Sequence, residues 1–138
     1  YPDLKVQRDL LTSIPGIAET TATVILAEIR DVSTFDSAAQ LAAFAGLTPQ
    51  EFSSGSSVRG KPRLSKIGNS RLRKALFMPA IVARRYNPLI LAFCDRLLAK
   101  GKSKMAVVGA AMHKLLRQVF GVLKSQKPFD PNFLPISS

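Results

Sequence analysis

Apolar residues recur at three- and four-residue intervals through most of this chain, most clearly along Val107, Val108, Ala111, Met112, Leu115, Val119 and Leu123. That interval puts them on one face of a helix and needs other helices to cover it. It predicts a helix over 103–124, with Lys104, Lys114, Arg117 and Lys124 on the outside. Shorter runs predict further helices over 3–12, along IPGIAETTATVILAEIR, over 34–45, from Asn69 and Ser70 to about 85, and over 88–99. Asp3 and Asp36 are the expected N-caps of the first and third. No stretch alternates as a strand would, so the expected fold class is all-α.

The breaks between these runs are short and carry turn residues: Pro15-Gly16, Gly46-Leu47-Thr48-Pro49, Asn87-Pro88 and Gly101. Pro79 falls inside a helical run, where its missing N–H should kink the helix. LLxxIPGIA resembles the helix-hairpin-helix motif, whose turn amides can bind a DNA phosphate. Ala18 stands where a second glycine is usual and the surroundings are acidic. A structural or protein-contact role is therefore the preferred reading of this hairpin. From Lys127 onward, KPFDPNFLPISS has three prolines and should be extended, with Phe129, Phe133 and Leu134 available to pin it to the domain or to a partner.

Charge divides the chain more sharply than composition does. Residues 1–58 hold three Lys or Arg against seven Asp or Glu, a net −4, whereas residues 59–127 hold seventeen against Asp95 alone, a net +16. A field of that sign favours nucleic acid or an anionic membrane surface. The lack of tryptophan and of an aromatic belt argues against an interfacial membrane helix, and no unbroken apolar run approaches the ~20 residues of a spanning helix. Because the chain is 46% hydrophobic at a net charge of +11, the apolar residues must be sequestered beneath those charges.

Where the two halves meet, SSGSSVRGKPRLSKIGNSRLRK joins hydroxyls to cations. Ser53, Ser54, Ser56 and Ser57 flank Gly55, and Arg59, Lys61, Arg63, Lys66, Arg71, Arg73 and Lys74 follow with no acidic residue among them. A hydroxyl beside a phosphodiester, with guanidinium groups to hold the developing charge, is a nucleophile arrangement. Asn69 and Ser70 open the next helix, whose free N–H groups would meet the same anion. Plain solvated loops are also rich in Ser and Gly, for conformational reasons. The connection of sixteen or more residues before that helix exceeds the usual length and is of the kind that carries function or motion.

The remaining chemistry is sparse. Cys94 lies in LILAFCDRLL, where a buried thiol is expected, and one cysteine excludes an intrachain disulfide framework. One histidine and one cysteine make a zinc site improbable. His113 is read as exposed or hydrogen-bonded rather than catalytic. The start, YPDLKVQRDL, has neither a signal-peptide core nor an initiator methionine, and the expectation is a piece of a longer protein.

Four motifs occur in order: IPGIxxxTAxxIxAEI, FxSAxxLAAFAGLTP, a Ser-Gly element, and KxGNxxLRxAL with a following NP. Together they resemble the C-terminal domain of DEDD-type bacterial insertion-sequence transposases, the insertion-sequence one-ten and one-sixteen group to which the pilin-gene invertases are related. The similarity runs from about Leu10 to Lys127. It implies a DNA recombinase acting in the bacterial cytoplasm at the nucleoid, in which the C-terminal domain supplies a serine that attacks DNA and forms a phosphoserine link. That serine maps to Ser54, with Ser53 one register away.

Arg59, Lys61, Arg63 and Lys66 would then hold the scissile phosphate and its neighbours, and Asn69, Arg71, Arg73 and Lys74 would anchor the backbone. The resemblance further implies a homo-oligomer, in some members a structured guide RNA, and magnesium bound by four acidic residues of an N-terminal domain. Those four have no counterpart here, so no cofactor is expected in this chain, which alone should be inactive. On this reading residues 1–49 form a helix-hairpin-helix-like acidic subdomain, 50–127 the catalytic-serine loop and basic helices, and 128–138 the tail. The competing reading is a non-catalytic DNA- or RNA-binding and oligomerisation module.

Overall fold

A 22-residue helix, Lys104–Ser125, is the element against which most of the others pack. It is the sixth of six helices in a computed structural model that describes residues 3–47 and 69–132. In chain order these are α1 (Leu4–Thr12), α2 (Glu19–Ile29), α3 (Ala38–Phe44), α4 (Ser70–Tyr86), α5 (Pro88–Ala99) and α6 (Lys104–Ser125), with a short 3-10 turn at Val32–Thr34 between α2 and α3. The described residues form no strand. The fold is all-α.

The buried stripe of α6 includes Val107, Ala111, Leu115 and Val119 at four-residue intervals, as its spacing predicts. This stripe meets α1, α3, α4, α5 and the 3-10 turn, and each fully buried leucine or valine contributes about 2 kcal/mol of burial. By length and mean hydropathy alone α6 could cross a membrane, although no unbroken apolar run reaches that length. Half of its apolar window is buried against the other helices, as in the core helix of a globular domain. Ser103 caps its start by accepting the Ala106 amide. At its end Gln126 takes a left-handed φ of 58°, where glycine is usual. Its side-chain amide exchanges two hydrogen bonds with that of Gln7 on α1, at 2.8 and 2.9 Å, which ties the two termini of the domain together.

The turn between α1 and α2 is held against α4. Gly16 has a φ of +113°, and a β-carbon there would lie 2.9 Å from both the Pro79 carbonyl oxygen and the Ala83 β-carbon. Glycine is thus required for conformation and for space. The neighbouring Pro15 carbonyl accepts a bond from the fully buried Asn87 side chain at 3.2 Å. Asn87 ends α4 and caps α5, accepting the Ile90 amide while its Nδ2 donates to Gln118 of α6 at 2.8 Å. One buried amide therefore connects the hairpin, α4, α5 and α6.

Several expectations shift on detail. The third helix is shorter than predicted, and its N-cap is Ser37, which accepts the Gln40 amide, rather than Asp36. Asp36 sits one residue outside, where its amide donates to the Gln40 side chain, and Asp31 has already turned the preceding residues into the 3-10 segment by accepting from Ser33. Helix α4 continues through Pro79 to Tyr86, with Pro79 buried against its neighbours. Lys114 and Arg117 are half-buried rather than outside. The tail is pinned at Phe129, whose amide donates to Ser13 at 2.8 Å. Phe133 and Leu134 lie outside the described residues.

Cys94 is buried, and that burial pushes its thiol above the ordinary cysteine value. His113 is half-buried. Burial first, then Arg117 and Lys114, hold its imidazole below the ordinary 6.5. The folded chain therefore binds this proton less tightly than the unfolded chain, so stability is complete above about pH 6.5 and declines as the pH falls below it. His113→Gln should flatten that acid-side decline in melting temperature against pH. An unchanged slope would assign the titration to another group.

Candidate nucleic-acid interface

The start of α4 is built from an asparagine cap and a first turn that carries cations and no acid. Asn69 Oδ1 accepts the Leu72 amide at 2.9 Å, and its Nδ2 donates to Glu28 Oε1 of α2 at the same distance. The Asn69 amide donates to the Phe44 carbonyl at the end of α3. Arg73 adds a longer bond to the Ala45 carbonyl at 3.4 Å. These bonds bring the end of α3 and the start of α4, which flank residues 48–68, side by side.

Cations at this end oppose the helix dipole, whose positive pole already lies there. Arg71, Arg73 and Lys74 therefore make a mouth of concentrated positive potential with helix N–H groups, an arrangement suited to an anion. They are not equivalent. Arg73 is half-buried and engaged with the α3 end, whereas Arg71 has 83% of its side chain exposed and Lys74 is exposed. Asn69 is half-buried and its amide is committed to Glu28. Ser53, Ser54, Arg59, Lys61, Arg63 and Lys66 lie outside the described residues.

Beside this mouth is an open cleft of about 580 Å³ lined by residues that include Glu28, Arg30, Asp31, Phe35, Phe44, Asn69 and Arg71. Glu28, with only 20% of its side chain exposed, bonds Asn69 and approaches Arg71 to 3.9 Å, so an acid of the first half orients the first basic turn of the second. Sequence reasoning missed Glu28. It is 41 positions from Asn69, and in the chain it is simply one polar residue on an apolar helix. Arg30 closes α2 at φ 66° and ψ −79°, with the Asp31 amide bonded to the Ile29 carbonyl at 2.8 Å, a γ-turn of the strained hand. The Asp31 carboxyl is held below its ordinary value by the Ser33 hydroxyl and then the Ser33 amide. Among the described residues, no group of three or more His, Cys, Asp or Glu side chains is placed to share a metal ion.

Residues 8–95, from α1 to the middle of α5, match the family model described as Transposase IS116/IS110/IS902 family. The chain belongs to this transposase family. It is 40% identical over 131 residues to the pilin gene-inverting proteins of Moraxella lacunata and Moraxella bovis, covering 94% of this chain and 40% of each of those proteins. It is 37% identical over 114 residues to an uncharacterized 43.6 kDa protein of insertion element IS110 from Streptomyces coelicolor, covering 83% of this chain and 27% of that protein. This transposase-family chain thus spans about 40% of the length of the pilin gene-inverting proteins it matches. The matched region contains the whole α4 mouth and both ends of the segment that bears the serines.

Proposed function

We propose that this chain is the C-terminal half of a transposase, supplying a serine nucleophile and a nucleic-acid grip for DNA strand breakage and rejoining. The family membership carries this reading, and it is supported by the α4 mouth, where Arg71 and Lys74 are exposed at the start of the first helix that follows Ser54 in the chain. In the proposed step the Ser54 Oγ attacks a phosphodiester. One O–P bond forms to serine, one P–O bond to the departing strand breaks, and that strand leaves as a hydroxyl. Attack by a strand hydroxyl on the phosphoserine reverses the exchange and rejoins DNA.

Arg59, Lys61, Arg63 and Lys66 would stabilise the negative charge on the phosphoryl oxygens in the transition state, where one well-placed donor is worth about 3 kcal/mol. Asn69, Arg71, Arg73 and Lys74 would set the backbone, Asn69 and Arg73 chiefly by fixing the mouth and Arg71 and Lys74 by touching phosphate. Divalent metal belongs, on this reading, to an N-terminal domain of the parent protein, and no step here is routed through it. A homo-oligomer acting on DNA in the bacterial cytoplasm, with a structured guide RNA in some systems, completes the proposal.

A second reading, a non-catalytic nucleic-acid and oligomerisation module, is favoured by the outer face of α4, where Phe77, Met78, Ile81, Val82 and Tyr86 are exposed. The test is adduct trapping with the full-length parent and labelled target DNA in magnesium, with any accessory RNA. The proposal expects a protein–DNA adduct that survives denaturation and disappears on Ser54→Ala with binding retained. Loss on Ser53→Ala instead would shift the nucleophile by one residue. Recombination without any adduct would leave the binding module as the better account.

A further inference from the structure

A second set of cations is gathered on the α5–α6 hairpin, on elements that contribute nothing to the α4 mouth. Phe93 of α5 is half-buried. Lys114 of α6 places its Nζ 4.7 Å from the Phe93 ring centroid, and the Arg96 guanidinium carbon lies 5.7 Å from the same centroid. Arg117 is one turn beyond Lys114. Their proximity is felt: burial first, then Arg117 and Arg96, lower the Lys114 ammonium from its ordinary value.

One cation over one ring is a common structural device. Two cations over one ring, with a third one turn along the helix and close enough to lower the Lys114 ammonium, are harder to explain by stability, because each addition brings like-charge repulsion. The hairpin's only carboxylate, Asp95, is paired with Arg84 of α4 at 2.8 Å. No ion pair among the described residues reaches Arg96, Lys114 or Arg117. A fixed, crowded, positive cluster of this kind is lowered in energy by an anion that bridges it. Guanidinium groups suit the paired oxygens of a phosphodiester, and an ammonium adds a point charge between them. The ring already carries the protein's own cations, which disfavours base stacking on it and points to the phosphate rather than the base.

We infer that Arg96 and Lys114, which lie over the Phe93 ring, together with Arg117 one turn beyond Lys114, form a second phosphodiester-backbone contact, distinct from the α4 mouth. The inference rests on the nucleic-acid reading of that mouth. It assigns the α5–α6 hairpin a sequence-independent grip that extends the footprint of the protein beyond the serine site. DNA and RNA share the recognised group, so the two are separated by experiment.

The experiment measures binding of the full-length protein to a random-sequence DNA duplex and to an RNA duplex across a salt series. Two charge-neutralised double variants are compared, Lys114→Gln with Arg117→Gln, and Arg71→Gln with Lys74→Gln. Removing one phosphate interaction should reduce the log-log salt slope by about 0.9 on duplex DNA, so each double variant should show a slope smaller by about 1.8. Arg96→Gln, on an exposed residue, should reduce it by about half as much without disturbing the core, and Lys114→Arg should keep the full slope. A reduction confined to the DNA or the RNA arm identifies which acid the hairpin holds. If only the Arg71 and Lys74 variant has a reduced slope, the hairpin inference is overturned and the mouth stands. If neither variant changes the slope on either acid, the nucleic-acid reading falls and the inference with it.

Discussion

Replacing Gly16 with alanine should lower the melting temperature by roughly 10 °C, a loss of about 3 kcal/mol for a chain of this size. Two costs combine. An alanine would have to hold a φ of +113°, and its methyl group would come within 2.9 Å of the Pro79 carbonyl oxygen and the Ala83 β-carbon. Neither neighbour is the free end of a flexible side chain, so the hairpin must lift away from α4. Gly101, at φ +87°, supplies the control because a β-carbon there would meet nothing within 4 Å. Gly101→Ala should therefore cost only the conformational part, about 1–2 kcal/mol. Thermal melts followed by circular dichroism compare the two, and equal losses would mean that the hairpin does not rest on α4.

Asn87→Ala should be the next most damaging change, at about 2–4 kcal/mol. It removes the α5 cap and leaves the half-buried Pro15 carbonyl and the Gln118 amide without their shared partner. Asn87→Asp separates these effects. The carboxyl can still cap α5, but it lacks the donor that faced two acceptors, and burial favours its neutral form. Its folded pKa would lie above the unfolded ~3.9, so the variant should be least impaired in acid and lose stability as the pH rises through that range. Equilibrium denaturation of both variants at acid and neutral pH measures this, and a pH-independent penalty for the aspartate would contradict a fully buried site.

The helical run at α6 could be read from the chain because its signal is local. Val107, Ala111, Leu115 and Val119 repeat every four residues, and one helix with one buried face follows from that interval whatever it packs against. Asp3 and Asn69 declared their helix starts in the same way, since a cap involves atoms only two or three residues apart. Asp36 misled because two adjacent residues, Asp36 and Ser37, were both competent caps. The choice between them depended on the 3-10 turn that came before.

The candidate site was legible only in part. Hydroxyls and cations next to one another in the chain marked the region that the family match includes. The relation of Glu28 to Asn69 and Arg71 had no local signature, because it joins residues about forty positions apart. The same holds for the division of labour among the basic residues. Arg71 and Arg73 look alike in sequence, yet one faces solvent and the other reaches the Ala45 carbonyl, since positions two apart on a helix point in different directions.

Residue order alone was enough to make this protein helical, to split its charge between an acidic first part and a basic second, and to mark its family. These are properties of composition, short-range periodicity and ordered motifs. The packed fold decided which polar residues are buried at the junctions, which cations face solvent, and that Lys114 and Arg96 both lie over the ring of Phe93. Those outcomes depend on which helix faces meet, and the approach of residues distant in the chain is set by the packing of the whole core.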